Sequence, residues 1–168
     1  MNTIKKGKYK FNLKLDLKQM KSKLREDYVL ILRLHYLIAD SINLEGVEDF
    51  AYNLSSYDDI SELYLVSDVL ITDYSSVFFD YANLHRPILF FTYDIENYRD
   101  MLRGFYFDFE HLAPGPLLKE SDEVIAAIES IDQLSENYKQ RFMKFNERFC
   151  ALEDGNAAKR IVEHVFKI

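Results

Sequence analysis

Short apolar runs that alternate with helical patterns are the feature that most limits how this chain can fold. The runs are rich in β-branched and aromatic residues and too short for helices, as expected of buried parallel strands. They cover Tyr28–Leu34, Phe50–Leu54, Val69–Ile71 and Ile88–Thr92. Strands that alternate with helices form right-handed βαβ units. We therefore predict an α/β fold with an open parallel sheet and flanking helices.

Composition and charge restrict the class of protein. The chain has 168 residues, of which 48% are hydrophobic and 29% charged, which is typical of a soluble globular domain and not of a disordered segment. A formal net charge of −7 argues against general affinity for nucleic acid or for an anionic bilayer. Cys150 is the one cysteine, so no disulfide is expected within the chain. No apolar run is long enough to span a membrane and no secretory signal is visible, so we expect a cytoplasmic location.

A serine-rich turn follows one of the predicted strands. Thr72-Asp73-Tyr74-Ser75-Ser76 comes directly after Val69–Ile71, and a helical pattern begins at Val77. Ser75 or Ser76 is predicted to cap that helix, whose first amides and dipole would face the carboxyl edge of the sheet. Such an edge attracts phosphate. An ordinary capped junction, which every α/β protein contains, explains the same residues without a ligand.

Arg33 and His35 follow another predicted strand at the same edge of the sheet. Both side chains point to one face if the strand geometry continues through them. A guanidinium and an imidazole suit phosphate oxygens, the first as a fixed charge and the second as a donor or acid. A histidine satisfied by a carbonyl and an arginine in a surface pair is the alternative. His85, His111 and His164 are expected to be structural or solvated.

Recognisable metal and cofactor motifs are missing from the sequence. No spacing resembles a zinc site, an EF-hand or a Walker loop, so no cofactor is predicted, although the residues leave open whether a divalent ion assists. Phe142, Phe145 and Phe149 recur at helical spacing, which indicates a core or an interdomain face more often than a ligand site. Residues 1–15 are basic and lack a strong apolar pattern, so we interpret them as a linker or truncated interdomain segment and residues 16–168 as the domain.

Five segments stand in one order along the chain: Leu32-Arg-Leu-His35, Ser55-Ser-Tyr-Asp-Asp-Ile60, Leu63 to Asp80, Arg86-Pro-Ile-Leu-Phe-Phe91 and Ala113-Pro-Gly-Pro116. Together they resemble the CDP-glycerol glycerophosphotransferase family, the teichoic acid polymerases and primases of Gram-positive bacteria. The resemblance covers most of residues 10–130. Its most specific part is the Thr-Asp-Tyr-Ser-Ser stretch with an upstream Arg-x-His.

That resemblance implies a GT-B architecture, in which two Rossmann-like halves enclose a cleft, and this chain is similar to the C-terminal half that binds the nucleotide donor. Arg33, Leu34 and His35 would line the donor phosphates, and Ser75 and Ser76 would hold the pyrophosphate. The Ala113–Pro116 loop, expected at the same sheet edge, would border the nucleotide. The substrate-binding residues implied in this way are Arg33, Leu34, His35, Thr72, Asp73, Ser75, Ser76 and Ala113.

The family reaction moves glycerol phosphate from CDP-glycerol to the terminal hydroxyl of a growing polyglycerolphosphate chain and releases CMP. By resemblance, His35 would stabilise the negative charge on the phosphates, or protonate a phosphate oxygen, during in-line attack at the β-phosphorus. Acceptor-side and membrane-attachment groups belong to an N-terminal half that we expect this chain to lack. The isolated chain is therefore expected to bind donor and catalyse little, and the full-length enzyme to be peripheral on the cytoplasmic face of the membrane. A CDP-ribitol transferase and a non-catalytic α/β module are the alternatives.

Overall fold

The computed structural model describes residues 13–35, 39 and 42–167, and there the chain divides into two units. Unit 1 ends at Ser61, and unit 2 begins at Glu62. The sequence predicted one domain from residue 16. Most of the predicted linker, residues 1–15, lies outside the described residues.

The described residues of unit 1 include helix α1 and two parallel strands. Helix α1 (Leu17–Leu24) begins after Asp16, whose carboxylate accepts a hydrogen bond from the Gln19 amide at 3.0 Å. Strand β1 (Leu30–Leu32) pairs in parallel with β2 (Ala51–Asn53). The apolar face of the helix and the strand interiors are buried together as the core of the unit. Its buried side chains include Leu17, Met20, Leu24, Leu32, Val47 and Phe50.

Unit 2 is built on a parallel sheet of three strands in the order β3-β4-β5. These strands are β3 (Leu70–Thr72), β4 (Ile88–Phe91) and β5 (Leu117–Leu118). The central strand β4 is also the most buried, since Ile88, Leu89 and Phe90 are at most 1% exposed. This burial on both faces explains why its sequence is continuously apolar rather than alternating.

Helices flank the strands of unit 2 along the chain. Helix α2 (Ile60–Val66) starts in the last residues of unit 1. The next are α3 (Val77–Ala82) and α4 (Ile95–Asn97), which continues into a π-helical turn at Tyr98–Leu102. The remaining helices are α5 (Phe109–Leu112), α6 (Ser121–Glu129), α7 (Ile131–Phe149) and α8 (Ala157–Phe166).

Aromatic rings form much of the core of unit 2. Phe78 on α3 lies 5.2 Å from Phe90 on β4 and 5.8 Å from Phe145 on α7, measured between ring centroids. Phe145 is 2% exposed, and Phe142 and Phe149 pack against the same cluster. The aromatic stripe of α7 is therefore part of the core, as predicted.

The predicted α/β class, with parallel strands and flanking helices, is confirmed, but several local predictions differ from the structure. β1 covers three residues of the apolar run Tyr28–Leu34, and Val29 within that run is 63% exposed. β5 was not predicted, because a strand of two residues carries no recognisable period. Across the described ranges, no helix has both the length and the apolar character needed to cross a bilayer.

Candidate functional site

Arg33 lies just beyond the carboxyl end of β1, and its guanidinium binds backbone carbonyls. Nη1 lies 3.3 Å from the Leu54 oxygen, 2.6 Å from that of Ser55 and 2.5 Å from that of Tyr57. These oxygens belong to the loop that follows β2, so one side chain ties together the ends of two paired strands. The alternative interpretation of Arg33 was a surface ion pair; the structure shows contacts with these carbonyls instead.

Leu34 and His35 complete the strand end of unit 1. The Leu34 amide donates to Ser55 Oγ at 2.9 Å, and that hydroxyl donates to Asn53 Oδ1 at 2.6 Å. His35 is exposed, and its carbonyl oxygen accepts a hydrogen bond from the Ala39 amide at 3.1 Å. Arg33, Leu34 and His35 therefore form one short segment, in which Arg33 and Leu34 are fixed through the loop after β2.

The serine turn brings four other predicted residues together at the carboxyl end of β3. Thr72 is the last strand residue and pairs in register with Phe90. Asp73 Oδ1 accepts a hydrogen bond from the Ser75 amide at 2.9 Å, which closes a local turn. The side chains of Asp73, Ser75 and Ser76 are exposed. The turn therefore presents two hydroxyls and a carboxylate to solvent.

The predicted serine cap of α3 is not formed. Ser76 occupies the N-cap position, but its hydroxyl makes no capping hydrogen bond. Its backbone is helical, with φ −62° and ψ −8°, whereas a capping serine usually has an extended backbone that brings its oxygen to the helix amides. The capping prediction is wrong for Ser76, and its exposed hydroxyl is not used to start the helix.

The Ala113–Pro116 loop lies at the opposite edge of the unit 2 sheet from the serine turn. The loop leads into β5, which runs parallel to β4, so it stands at the amino edge. A Cβ on Gly115 would lie 1.8 Å from the Ile88 carbonyl oxygen, so only glycine fits there. Ala113 is 0% exposed and belongs to the core. The expected placement of this loop beside the serine turn is wrong, and we propose no donor contact for Ala113.

Tyr74 is the turn residue to which the sequence analysis gave no role. Its partly buried ring stacks on Tyr98 with centroids 4.1 Å apart and an interplanar angle of 24°. Its hydroxyl donates to Asp94 Oδ1 at 2.9 Å. Asp94 follows β4, so this bond joins the segments that leave two neighbouring strands. The sequence signal that could have identified Tyr74 is an aromatic residue that stands between polar turn residues.

Lys119 is a second residue that the sequence analysis did not identify. It follows β5 directly and therefore lies at the carboxyl edge of the sheet, where Nζ is 2.5 Å from Glu96 Oε1. Its hydrogen bond lowers the pKa of the Glu96 carboxyl below the usual range. Without a recognised strand before it, nothing in the sequence placed this lysine at the edge.

Two phenols at this edge keep their protons at neutral pH. Burial raises the pKa of Tyr74, and the hydrogen-bonded Asp94 carboxylate raises it further. Burial, followed by the Asp94 and Asp73 carboxylates, also raises the pKa of Tyr93. The edge therefore combines neutral hydroxyl donors with carboxylates. Over the part of the chain that the structure describes, no group of three or more His, Cys, Asp or Glu residues is arranged to hold a metal ion.

The other histidines have structural or exposed positions, as predicted. His85 Nδ1 lies 3.0 Å from Asn146 Nδ2, and His111 Nδ1 lies 2.9 Å from Asp108 Oδ1. The His111 side chain is 82% exposed, and His164 is exposed on α8.

Comparison with known proteins gives a consistent result over almost the whole chain. A family model described as CDP-glycerol:poly(glycerophosphate) glycerophosphotransferase matches residues 2–167. A teichoic acid poly(glycerol phosphate) polymerase of Bacillus subtilis (strain 168) is 56% identical over 162 residues, which are 96% of this chain and 22% of that protein. A teichoic acid poly(ribitol-phosphate) polymerase of Bacillus spizizenii is 38% identical over 90% of this chain and 24% of its own length.

A solved structure shows the same relationship in three dimensions. It is that of a variant of the wall teichoic acid polymerase TagF soaked with CDPG, and it matches with a TM-score of 0.83 at 43% identity. The match covers 92% of this chain and 39% of the polymerase. The chain thus spans less than half the length of each of these relatives.

Proposed function

The chain belongs to the CDP-glycerol:poly(glycerophosphate) glycerophosphotransferase family, and on this basis we propose that it is the donor-binding part of a transferase in teichoic acid synthesis. The family match across residues 2–167 is the observation that carries the proposal. The proposed reaction transfers glycerol phosphate from CDP-glycerol to the terminal hydroxyl of a growing chain and releases CMP. Because the chain spans only part of its relatives, we propose that other regions of a full-length enzyme bind the acceptor. This corresponds to the C-terminal half of a GT-B architecture.

The serine turn is the proposed contact for the donor diphosphate. Its exposed hydroxyls on Ser75 and Ser76 can donate hydrogen bonds to phosphate oxygens, and the Ser76 hydroxyl is not used for capping. Asp73 orients the turn through the Ser75 amide, and Thr72 fixes its start in the sheet. These uncharged hydroxyl donors are important at the turn, because the neighbouring carboxylates are negatively charged and do not attract phosphate.

The strand end of unit 1 is the proposed contact for the reacting phosphates. In the proposed step the acceptor oxygen bonds to the β-phosphorus while the bond from that phosphorus to the CMP oxygen breaks. The proton of the acceptor hydroxyl passes to the departing CMP phosphate or to solvent. His35 would donate a hydrogen bond or a proton to the phosphate oxygens through its imidazole N–H. Arg33 would contribute its charge and the N–H groups on Nε and Nη2. Leu34, whose amide donates to Ser55 Oγ, would line the phosphates and hold the segment in place.

Two other functions remain as alternatives with different expected ligands. CDP-ribitol would be the donor if the chain belonged to a ribitol phosphate transferase; the higher identity with the glycerol phosphate polymerase favours CDP-glycerol. A non-catalytic α/β module would bind neither nucleotide. For the full-length enzyme we propose peripheral attachment to the cytoplasmic face of the membrane, through regions outside this chain.

Titration of the isotope-labelled chain with CDP-glycerol, CDP-ribitol and CMP, followed through amide chemical shifts, tests the proposal. CDP-glycerol should perturb His35, Ser75 and Ser76 most strongly. His35→Ala should weaken CDP-glycerol binding by about tenfold, the effect of one charge-assisted hydrogen bond. His164→Ala, which changes an exposed histidine on α8, is the matched control and should bind like the wild type.

Each result that departs from these expectations changes the proposal in a different way. Tighter binding of CDP-ribitol than of CDP-glycerol would support the ribitol donor. Unchanged spectra at millimolar concentrations of all three nucleotides would support the module without a ligand. Equal affinity of the wild type and His35→Ala would remove His35 from the site while leaving donor binding intact.

A further inference from the structure

Tyr74 is fixed at both its ring and its hydroxyl, unlike its neighbours in the serine turn. Asp73, Ser75 and Ser76 are exposed, whereas the Tyr74 ring stacks on Tyr98 at 4.1 Å. The ring also approaches Phe105 at 5.6 Å and Phe109 at 6.0 Å between centroids. The turn is therefore attached to the aromatic core of unit 2 through one side chain.

Asp94 is used in an unusual way at the other end of this attachment. It stands at the N-cap position of α4, where an aspartate normally accepts a hydrogen bond from the helix that it begins. Here the carboxylate makes no capping bond and accepts the Tyr74 hydroxyl at 2.9 Å. Burial keeps that phenol protonated by raising its pKa, so it remains a donor.

The stacking partner of Tyr74 lies in an uncommon backbone conformation. Tyr98 is the first residue of the π-helical turn Tyr98–Leu102 that continues α4. Single π-helical turns are rare and are frequently found at functional sites. Both anchors of Tyr74, Asp94 and Tyr98, therefore come from the segment after β4, and the Asp94 carboxylate makes no capping bond there.

We infer that Tyr74 is a positioning residue for the donor diphosphate, which fixes the Asp73–Ser76 turn in the conformation that receives the phosphates. The inference rests on the proposed function and adds to it a residue that acts through its neighbours. A turn held in place before binding loses less conformational entropy when the ligand arrives. The hydroxyl also holds the Asp94 carboxylate, whose negative charge would otherwise be free to turn towards the phosphates.

Tyr74→Phe tests this inference, because it keeps the stacked ring and removes only the hydrogen bond to Asp94. It should weaken CDP-glycerol binding about fivefold, the effect of one lost hydrogen bond. It should also speed hydrogen exchange of the Ser75 and Ser76 amides. Inorganic pyrophosphate, used as a second probe, should lose affinity by a similar factor, because the effect concerns the diphosphate.

Tyr81→Phe is the matched control. The Tyr81 hydroxyl also makes one hydrogen bond in unit 2, to the Ser67 carbonyl at 2.9 Å, but it does not contact the serine turn. The two variants should lose comparable stability in urea, while only Tyr74→Phe loses affinity. A general loss of folding would instead affect both variants alike.

Asp94→Asn separates attachment from charge. The asparagine Oδ1 can still accept the Tyr74 hydroxyl, and the negative charge is gone, so donor affinity should be retained or increased. A loss as large as that of Tyr74→Phe, with the Ser75 and Ser76 amides still exchanging as slowly as in the wild type, would overturn the inference, because binding would then fail while the turn is still attached.

The remaining outcomes separate this inference from the proposed function. If the wild type binds CDP-glycerol and Tyr74→Phe binds it equally well, the positioning role is overturned and the donor function stands. If the wild type binds neither a CDP-linked donor nor pyrophosphate, the proposed function fails, and the positioning role fails with it.

Discussion

Two strand ends in this chain hold equivalent positions in their sheets and are fixed by different forces. Beyond β1 in unit 1, Arg33 donates hydrogen bonds to exposed loop carbonyls, and the Leu34 amide donates to Ser55 Oγ. Beyond β3 in unit 2, Tyr74 uses a stacked ring and a phenol hydrogen bond next to the aromatic core. All of the predicted site residues except Ala113 lie on these two segments.

The difference has consequences for how each strand end responds to change. Hydrogen bonds exposed to water contribute about 1 kcal/mol each, because water offers competing partners. Stacked aromatic pairs add about 0.5–1.5 kcal/mol beyond the burial of their surface, and that burial is not in competition with water. The turn of unit 2 is thus fixed by packing, and the strand end that carries His35 depends on polar contacts that other residues and solvent can replace.

Gly115→Ala is expected to have the largest effect, because it strikes the packing on which unit 2 depends. The new Cβ would lie 1.8 Å from the Ile88 carbonyl oxygen, and backbone atoms cannot move aside without disturbing β4. The free energy of unfolding, measured in urea, should fall by roughly 3 kcal/mol or more. Gly155→Ala is the control: its φ is +78° but no atom lies within 4 Å of the added Cβ, so it should lose only about 1 kcal/mol. Equal stability of the two variants would show that the β4–β5 contact is loose.

Alkaline pH should produce the next largest effect, again in unit 2. Burial raises the pKa of Tyr81 from 10.0 to about 12. Because the folded pKa lies above that of the unfolded chain, this contribution is complete below pH 10 and is lost as the pH rises to about 12. The loss should amount to roughly 2–3 kcal/mol.

Urea unfolding at pH 9 and at higher pH measures this loss. Tyr81→Phe should lack the part of the alkaline loss that comes from this phenol and keep the part that comes from Tyr74 and Tyr93, whose pKa values are also raised. Tyr52→Phe, which removes a half-exposed phenol from unit 1, should retain the whole loss. Identical pH dependence in Tyr81→Phe and the wild type would mean that this phenol does not titrate in the burial seen here.

Arg33→Lys should have the smallest effect, because it replaces polar contacts on the strand end of unit 1. Lysine keeps the charge, but a single ammonium group cannot reproduce the contacts to three carbonyls in the fixed geometry of a guanidinium. We expect a loss of about 1–2 kcal/mol in unfolding free energy and faster amide exchange in residues 54–57.

Arg25→Lys, at an exposed ion pair of the same unit, is the matched control and should change stability by less than about 0.5 kcal/mol. A large loss of CDP-glycerol affinity in Arg33→Lys without faster exchange would show that Arg33 binds the donor and does not hold the loop.

The sequence predicted elements well where local periodicity is strong. Helix α3 and strand β4 begin where their patterns placed them, at Val77 and Ile88, because burial of one helix face or of a whole strand leaves a direct trace in residue order. The turn between β3 and α3 was found from its residue types. Its internal bonding was not, since the choice between a Ser76 cap and the Asp73 turn depends on backbone angles that many sequences share.

The errors concern residues whose place is set by distant contacts. β5 is recognisable only through its pairing with β4. Without β5, the sequence could not predict at which edge of the sheet the Ala113–Pro116 loop lies, or where Lys119 lies. The sequence does not distinguish Tyr74 from the other residues of the polar turn, because its partners Asp94 and Tyr98 are recognisable only in the structure.

The sequence alone determined the α/β class, the order of strands β1 to β4, and the segments that carry family-like residues, because each of these depends on short-range pattern and residue type. Tertiary structure decided which side chains those segments contact: carbonyls for Arg33, an aspartate and a tyrosine for Tyr74, and the core for Ala113. The physical reason is that partners far apart in the chain meet only after strands pair and helices pack, and the local pattern carries no record of that distance.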